Sequence, residues 1–173
     1  MNVRVPDDIG RMNMILHLAL VVAIPFYLVV AFAVTGAGER EPAMEPQVLR
    51  VLTIGLAVLS LTMLGLGWLM PRLLIRQDRL EQLMVAAAER GEEPLRAALL
   101  GARPPYIVRL AMLESIAIFG LVLTFLSGDL SSFYPFGVVA VVAMIAARIE
   151  TDPVLQLYQE LAPRHGWPLS TSG

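Results

Sequence analysis

Long apolar runs separated by short polar stretches are the dominant pattern along this chain. Four runs are apolar over a length near the ~20 helical residues that are needed to cross a bilayer. They predict membrane spans over about residues 12–34, 51–70, 107–127 and 130–147. The fourth run has no charged residue but is short, so we expect it to cross with little tilt or to thin the bilayer locally.

The stretch between the last two runs, SGDLSSFYP, is short enough to require an antiparallel hairpin. The pattern therefore predicts an all-α integral membrane fold: a bundle of four transmembrane helices that forms two antiparallel hairpins. Four spans leave little of the chain for any soluble domain, so we expect residues 1–173 to form a single membrane domain. The first run is too long for a cleaved signal peptide, and we expect it to remain as a span.

Residues 71–106, between the second and third spans, have a helical pattern instead of a continuous apolar run. Apolar residues recur there at helical spacing, at Leu80, Leu83, Met84 and Ala87. Gly91 is expected to end this helix, and Pro94 to lie in the first turn of a shorter one. Two interpretations stay open for residues 77–100: a solvated helical hairpin that caps the bundle, or a docking surface for a partner protein.

The tail, residues 148–173, predicts a short amphipathic helix. Asp152 is a suitable N-cap, and Pro153 is a suitable first helical residue. One face of this helix is apolar and carries Val154, Leu155, Tyr158 and Leu161. We expect this face to lie on the cytoplasmic surface of the membrane.

Composition and charge support the membrane class. The chain is 57% hydrophobic and 16% charged, whereas soluble domains average ~45–50% apolar and ~25% charged residues. The net charge of −2 gives no general basic surface for nucleic acid. The chain contains no cysteine, which excludes disulfides, iron–sulfur clusters and thiolate zinc sites.

The arginines predict the orientation of the spans. On one side of the membrane are those of the N-terminal arm, the segment of residues 71–106 and the tail, namely Arg4, Arg11, Arg72, Arg76, Arg79, Arg90, Arg96, Arg103, Arg148 and Arg164. The other side has only Arg40 and Arg50. By the positive-inside rule, both termini and residues 71–106 are cytoplasmic. The expected location is the bacterial cytoplasmic (inner) membrane.

Glu114 is the most unusual residue of the predicted spans, because a carboxylate inside a bilayer is costly. At ~1.5 Å per residue it lies roughly 10 Å from the cytoplasmic end of its span. His17 is at a similar depth in the first span, and Arg109 lies nearer the interface, where its side chain can snorkel. Further candidates for a hydrogen bond to Glu114 are the hydroxyl groups of Ser115 and Thr62.

Three interpretations of Glu114 stay open. The carboxyl group could form an internal network with His17 and a hydroxyl group that fixes helix packing. It could be a protonatable site on an ion or proton path. It could also make a polar contact with the span of a partner subunit.

Residues 103–126, RPPYIVRLAMLESIAIFGLVLTFL, resemble the carboxylate-bearing helix of proteolipid subunit c of the rotary ATPases. The matching residues are Arg103, Pro104, Glu114, Ile118, Phe119, Gly120 and Leu121. The resemblance implies that Glu114 is an ion-binding carboxylate. The whole chain is also similar to small uncharacterised four-span bacterial membrane proteins, a likeness that implies no particular activity.

The residue patterns do not predict an enzyme. There is no glycine-rich phosphate loop, no nucleophile with a visible base, and no histidine pair for haem or metal. We therefore expect no cofactor, and we expect a structural or accessory subunit of a membrane complex. The alternative is an oligomeric protein that translocates protons or ions through Glu114. The expected partners are the lipid bilayer and either another protein or further copies of this chain, bound through the spans or residues 77–100; nucleic acid is not expected.

Overall fold

The computed structural model describes residues 5–36, 43–147 and 151–168, and every regular element in these ranges is helical. The α-helices are α1 (Asp7–Thr35), α2 (Pro46–Leu74), α3 (Gln77–Glu89), α4 (Pro94–Gly101), α5 (Arg103–Ser127), α6 (Tyr134–Ala146) and α7 (Asp152–His165). A single 3-10 turn, Leu130–Ser132, lies between α5 and α6. The prediction of an all-α fold is confirmed.

Three helical stretches of the described residues, containing α1, α2 and α5, are long and apolar enough to cross a membrane. The fourth predicted span, residues 130–147, differs from the prediction. Its first residues form the 3-10 turn, where the Asp129 carboxylate accepts a hydrogen bond from the backbone N–H of Ser131. The remaining helix, α6, has 13 residues and is ~20 Å long, which is shorter than the ~30 Å hydrocarbon core.

The described chain divides into two compact units. Unit 1 comprises Met1–Leu16, Met70–Ile107 and Ile149–Gly173, and unit 2 comprises His17–Leu69 and Val108–Arg148. The segment of residues 71–106 and the tail, which the sequence pattern treats as separate connections, thus belong to one unit together with the N-terminal arm.

Unit 1 is built around a core to which α3, α4 and α7 contribute their apolar faces. Its fully or nearly buried side chains include Ile9, Leu80, Met84, Leu95, Leu99, Val154, Tyr158 and Leu161. The helix predicted after residue 77 is present, and it ends where Gly91 adopts a left-handed φ of 72°. The apolar face of α3, which suggested a docking surface, is therefore covered within unit 1.

The tail helix differs from the prediction in two respects. Thr151 is its N-cap, one residue before the expected Asp152. Its apolar face packs into the core of unit 1, whereas we expected it to lie on the membrane surface. The apolar spacing was correct, but spacing alone does not say whether lipid or protein covers the face.

Unit 2 has a core to which α1, α5 and α6 contribute, with α2 packed against it. Buried side chains of this core include Ile24, Leu110, Leu113, Ile116, Leu123, Phe133, Phe136 and Met144. Helices α5 and α6 approach closely at Gly120. A Cβ atom on Gly120 would lie 2.8 Å from Cβ of Phe136 and 3.1 Å from the carbonyl oxygen of Phe133. Only glycine permits this approach.

The outer surface of unit 2 is apolar. In the most apolar window of α1 only 11% of the residues are buried, and in that of α2 only 6%. Phe26, Val29 and Phe32 of α1 are each about 63–64% exposed. Contiguous apolar surface of this kind is unusual on a protein that faces water.

Candidate functional site

Glu114, the carboxylate inside the third apolar run, has a hydrogen-bond partner on α1. The hydroxyl group of Tyr27 donates to Oε1 of Glu114 over 2.5 Å, and both side chains are partly buried in unit 2. A hydroxyl–carboxyl hydrogen bond of this length is in the range of charge-assisted bonds. The pair joins the C-terminal half of α1 to the middle of α5.

His17, one of the candidate partners of Glu114, makes no hydrogen bond to it among the residues that the structure describes. His17 precedes Tyr27 by ten positions on α1, which is ~15 Å along the helix axis. The prediction placed His17 and Glu114 at a similar depth by counting residues from the start of each apolar run. However, α1 begins at Asp7 and α5 at Arg103, and side-chain packing in the core sets which turns of the two helices face each other.

Arg109 is buried, with 3% of its surface exposed, although we expected its side chain to snorkel to the interface. The guanidinium carbon lies 4.3 Å from the centroid of the Trp68 indole on α2, a cation–π geometry. Neighbouring Gly67 packs against the same side chain, and a Cβ there would lie 3.8 Å from Cγ of Arg109, an ordinary van der Waals contact. Arg109 thus links α5 to α2, and Glu114 links α5 to α1.

The two hydroxyl groups proposed as partners of Glu114 are bonded within their own helices. Ser115 donates to the carbonyl oxygen of Ala111 over 2.9 Å, and Thr62 donates to that of Val58 over 2.9 Å. Such bonds to the preceding turn are common for Ser and Thr in helices. Among the described residues, the hydrogen bond shown for Glu114 thus comes from Tyr27, and those of Ser115 and Thr62 stay within their own helices.

Tyr27 is the residue of this site that the sequence analysis missed. Tyrosine is most common at the membrane interfaces, whereas Tyr27 lies in the interior of the predicted span of residues 12–34. This unusual position was a signal for a buried polar contact. A buried tyrosine hydroxyl group usually has a hydrogen-bond partner, so this position could have been used to predict that Tyr27 bonds a polar group of another helix.

Apolar grooves of unit 2 border α6, and two of them are lined by several of its residues. One has a volume of ≈ 260 Å³ and is lined by residues such as Ile24, Pro25 and Phe133. The other has a volume of ≈ 360 Å³ and has Thr53 and Ser60 among otherwise apolar residues such as Ile116 and Phe136. Glu114 lines neither groove. Within the described ranges, no group of three or more His, Asp or Glu side chains could hold a metal ion.

No protein-family model, curated protein or solved structure matches this chain. The function is therefore inferred from two observations on unit 2: its apolar outer surface, and the polar contacts that join its helices.

Proposed function

We propose that this chain is a multi-pass membrane protein that serves as a structural or accessory subunit of a membrane complex. The observation that carries this proposal is the apolar outer surface of unit 2, where long side chains of α1 and α2 are exposed along most of the helix length. Exposure to water would make this surface an aggregation liability. In a bilayer the same surface contacts lipid tails or the span of another subunit.

The proposed topology has four crossings, with both termini and residues 71–106 in the cytoplasm of a bacterial cell. The asymmetry of the arginines supports this orientation. Helix α6 is the exception in length, so we propose that the bilayer is locally thinner around it. A crossing by α6 also returns the chain to the arginine-rich side before α7 begins.

The polar contacts of unit 2 support a structural role for the residues inside the spans. Tyr27 satisfies one oxygen of the Glu114 carboxyl group, and Trp68 lies against the guanidinium group of Arg109. Each of these contacts joins α5 to a different helix. In an apolar environment such contacts fix how neighbouring helices face each other.

A partner subunit would bind the outward face of the spans. Gly65 lies on this face of α2, since it is exposed and a Cβ there would meet no atom within 4 Å. By contrast, Ser60 of the same helix is buried, with 8% of its surface exposed. Gly65 is therefore the position at which a partner can be probed, and Ser60 is the buried control position.

Single cysteine variants test this proposal directly, because the chain contains no cysteine of its own. We expect Gly65→Cys, labelled with a thiol-reactive photocrosslinker in native membranes, to form a defined product of higher mass. Ser60→Cys should not react. A product of twice the mass identifies a second copy of this chain, and another mass identifies a different subunit.

The accessory role would be wrong if outward positions formed only lipid adducts. Cysteines at Val29 of α1 and Val142 of α6, both exposed, extend the test to the other apolar helices. Absence of a protein product from all three outward positions would contradict the proposal.

A second function, translocation of protons or small cations by an oligomer, is favoured by one observation. The carboxyl group of Glu114 lies within an apolar helix and is bonded to a phenol hydroxyl group, and such a pair can exchange a proton. The resemblance of residues 103–126 to subunit c points to the same residue. A loss of flux in vesicles on Glu114→Gln, with unchanged thermal stability, would support this function over a purely structural one.

A further inference from the structure

A small cavity in unit 1 lies beside Arg103, the first residue of α5. It is lined by Asn13, Leu99, Ala102, Arg103, Tyr106, Thr151 and Val154, which come from α1, α4, α5 and the start of α7. Two guanidinium nitrogens of Arg103, Nε and Nη2, are buried and have no hydrogen-bond partner. The third nitrogen, Nη1, lies 3.6 Å from the sulfur of Met12, which is a weak acceptor.

This arrangement leaves two nitrogens of a charged group without an acceptor among the described residues. Arginine stays protonated in proteins, and leaving guanidinium nitrogens buried without acceptors is unfavourable; Arg103 as a whole is partly buried, with Nε and Nη2 as its buried nitrogens. The ion pairs of the described residues are formed by Arg76, Arg90 and Arg96, and none involves Arg103. An acceptor from outside the chain would remove this cost.

The size of the cavity limits what can enter it. Its volume of ≈ 10 Å³ accommodates about one oxygen atom. Asn13 and Thr151 are polar residues of its lining, and the Thr151 hydroxyl makes no capping hydrogen bond to α7. The lining therefore includes one charged and two neutral polar residues beside a space for one oxygen.

We propose that this cavity binds one oxygen of a phosphate group, with Arg103 as the principal donor and with Asn13 and Thr151 as secondary ones. Arginine binds phosphate oxygens with short, charge-assisted hydrogen bonds, often through two nitrogens at once. The rest of the phosphate group lies at the mouth of the cavity. The phosphate belongs either to an anionic lipid headgroup or to a free phosphate ion.

Binding of phosphatidylglycerol to the purified full chain, measured by native mass spectrometry, tests the site. We expect Arg103→Gln to weaken phosphatidylglycerol binding at least ~10-fold relative to the unaltered chain, because charge-assisted hydrogen bonds are lost. The matched control is Arg96→Gln, which removes an exposed arginine of the same unit that pairs with Asp8. This control should leave the affinity within about twofold of the unaltered chain. Thr151→Val provides a milder second variant if Arg103→Gln does not fold.

Two further probes identify the source of the phosphate. Phosphatidylcholine tests whether the headgroup must be anionic, and inorganic phosphate tests whether a lipid is needed. Competition by millimolar inorganic phosphate would support the site and assign it to the free ion, whereas failure to compete would support the lipid headgroup. Phosphatidylglycerol binding by Arg103→Gln equal to that of the unaltered chain would overturn the proposal, and if Arg103→Gln does not fold, equal binding by Thr151→Val would overturn it.

Discussion

The cost of a carboxyl group inside an apolar helix depends on what the facing helix offers to it. A charged side chain at the centre of a span costs ~2.5–3.5 kcal/mol on insertion scales. A hydrogen bond to a charged group contributes ~1.5–3 kcal/mol. The bond from Tyr27 to Glu114 can therefore offset a large part of the cost of placing Glu114 in α5.

We expect Tyr27→Phe to destabilise the protein more than Glu114→Gln does. The phenylalanine removes the hydroxyl group that donates to Oε1 of Glu114 and should cost about 1–2 kcal/mol. The glutamine keeps a carbonyl oxygen that can accept from Tyr27, so it should cost less than about 1 kcal/mol. Thermal melts of the purified variants in detergent measure both effects.

Ser115→Ala is the control for this pair, because the Ser115 hydroxyl is bonded within its own helix. The double variant Tyr27→Phe with Glu114→Leu should cost clearly less than the sum of its single changes, since it leaves neither group without a partner. Strict additivity of the two changes would show that the contact does not stabilise the fold.

The sequence singled out Glu114 as a carboxyl group inside an apolar helix, but it did not indicate Tyr27 as the residue that bonds it. The depth of a residue in a span follows from counting along one helix. The choice of partner depends on how two helices are shifted along each other, and that shift is set by core residues such as Ile24 and Leu113. The aromatic partner of Arg109, Trp68, was missed for the same reason.

At the scale of the elements, the turn between α5 and α6 explains the length of α6. The connection between them was predicted as a tight turn, and in the structure it begins at Gly128, which has a φ of 70°. The Ser131 hydroxyl and backbone N–H both bond the Asp129 carboxylate and lower its pKa. The turn residues therefore serve as caps, which explains why the helical part of the fourth apolar run is shorter than predicted.

We expect Gly120→Ala to destabilise unit 2 by about 1–3 kcal/mol, the range found for overpacked cores. The new methyl group would collide with Phe136 Cβ and with the backbone of Phe133, and backbone atoms cannot rotate away. Gly101→Ala is the graded comparison, because its only close contact is with a terminal methyl group of the flexible Leu83 side chain. Thermal melts should rank Gly120→Ala as the more damaging change.

The control for helix propensity is Gly65→Ala on α2, where the added methyl group meets no atom within 4 Å. It should be neutral or slightly stabilising, since alanine favours a helix over glycine. Equal losses for Gly65→Ala and Gly120→Ala would contradict the close approach of α5 and α6.

At the scale of the whole molecule, the sequence predicted the helical class but not the division into two units. Helix ends and apolar faces depend on residues a few positions apart, so α3 and α7 could be predicted from local spacing. The core of unit 1 joins Ile9, Leu80 and Val154, which are far apart in the sequence. No pattern within a short window indicates that such segments cover one another.

Reporter fusions after Glu45, Arg90, Leu130 and Gly173 test the topology. We expect them to report the outside, the inside, the outside and the inside of the cell, respectively, because the arginines favour the cytoplasm. The fusion after Gly173 tests whether α6 crosses the membrane, which is the open question for so short a helix. An outside signal after Gly173 would show that α6 enters the bilayer without crossing it, and an inside signal after Glu45 would contradict the proposed orientation.

The core of unit 1 is formed by segments that the ribosome synthesises at different times. Residues near Ile9 leave the ribosome first, α3 and α4 follow after two apolar helices, and the residues of α7 leave after α5 and α6. At ~5–20 residues per second, the apolar faces of α3 and α4 remain uncovered for seconds while the rest of the chain is made. Closure of this core therefore requires that α7 has been made, so a nascent chain interrupted earlier carries exposed apolar surface that chaperones and proteases recognise.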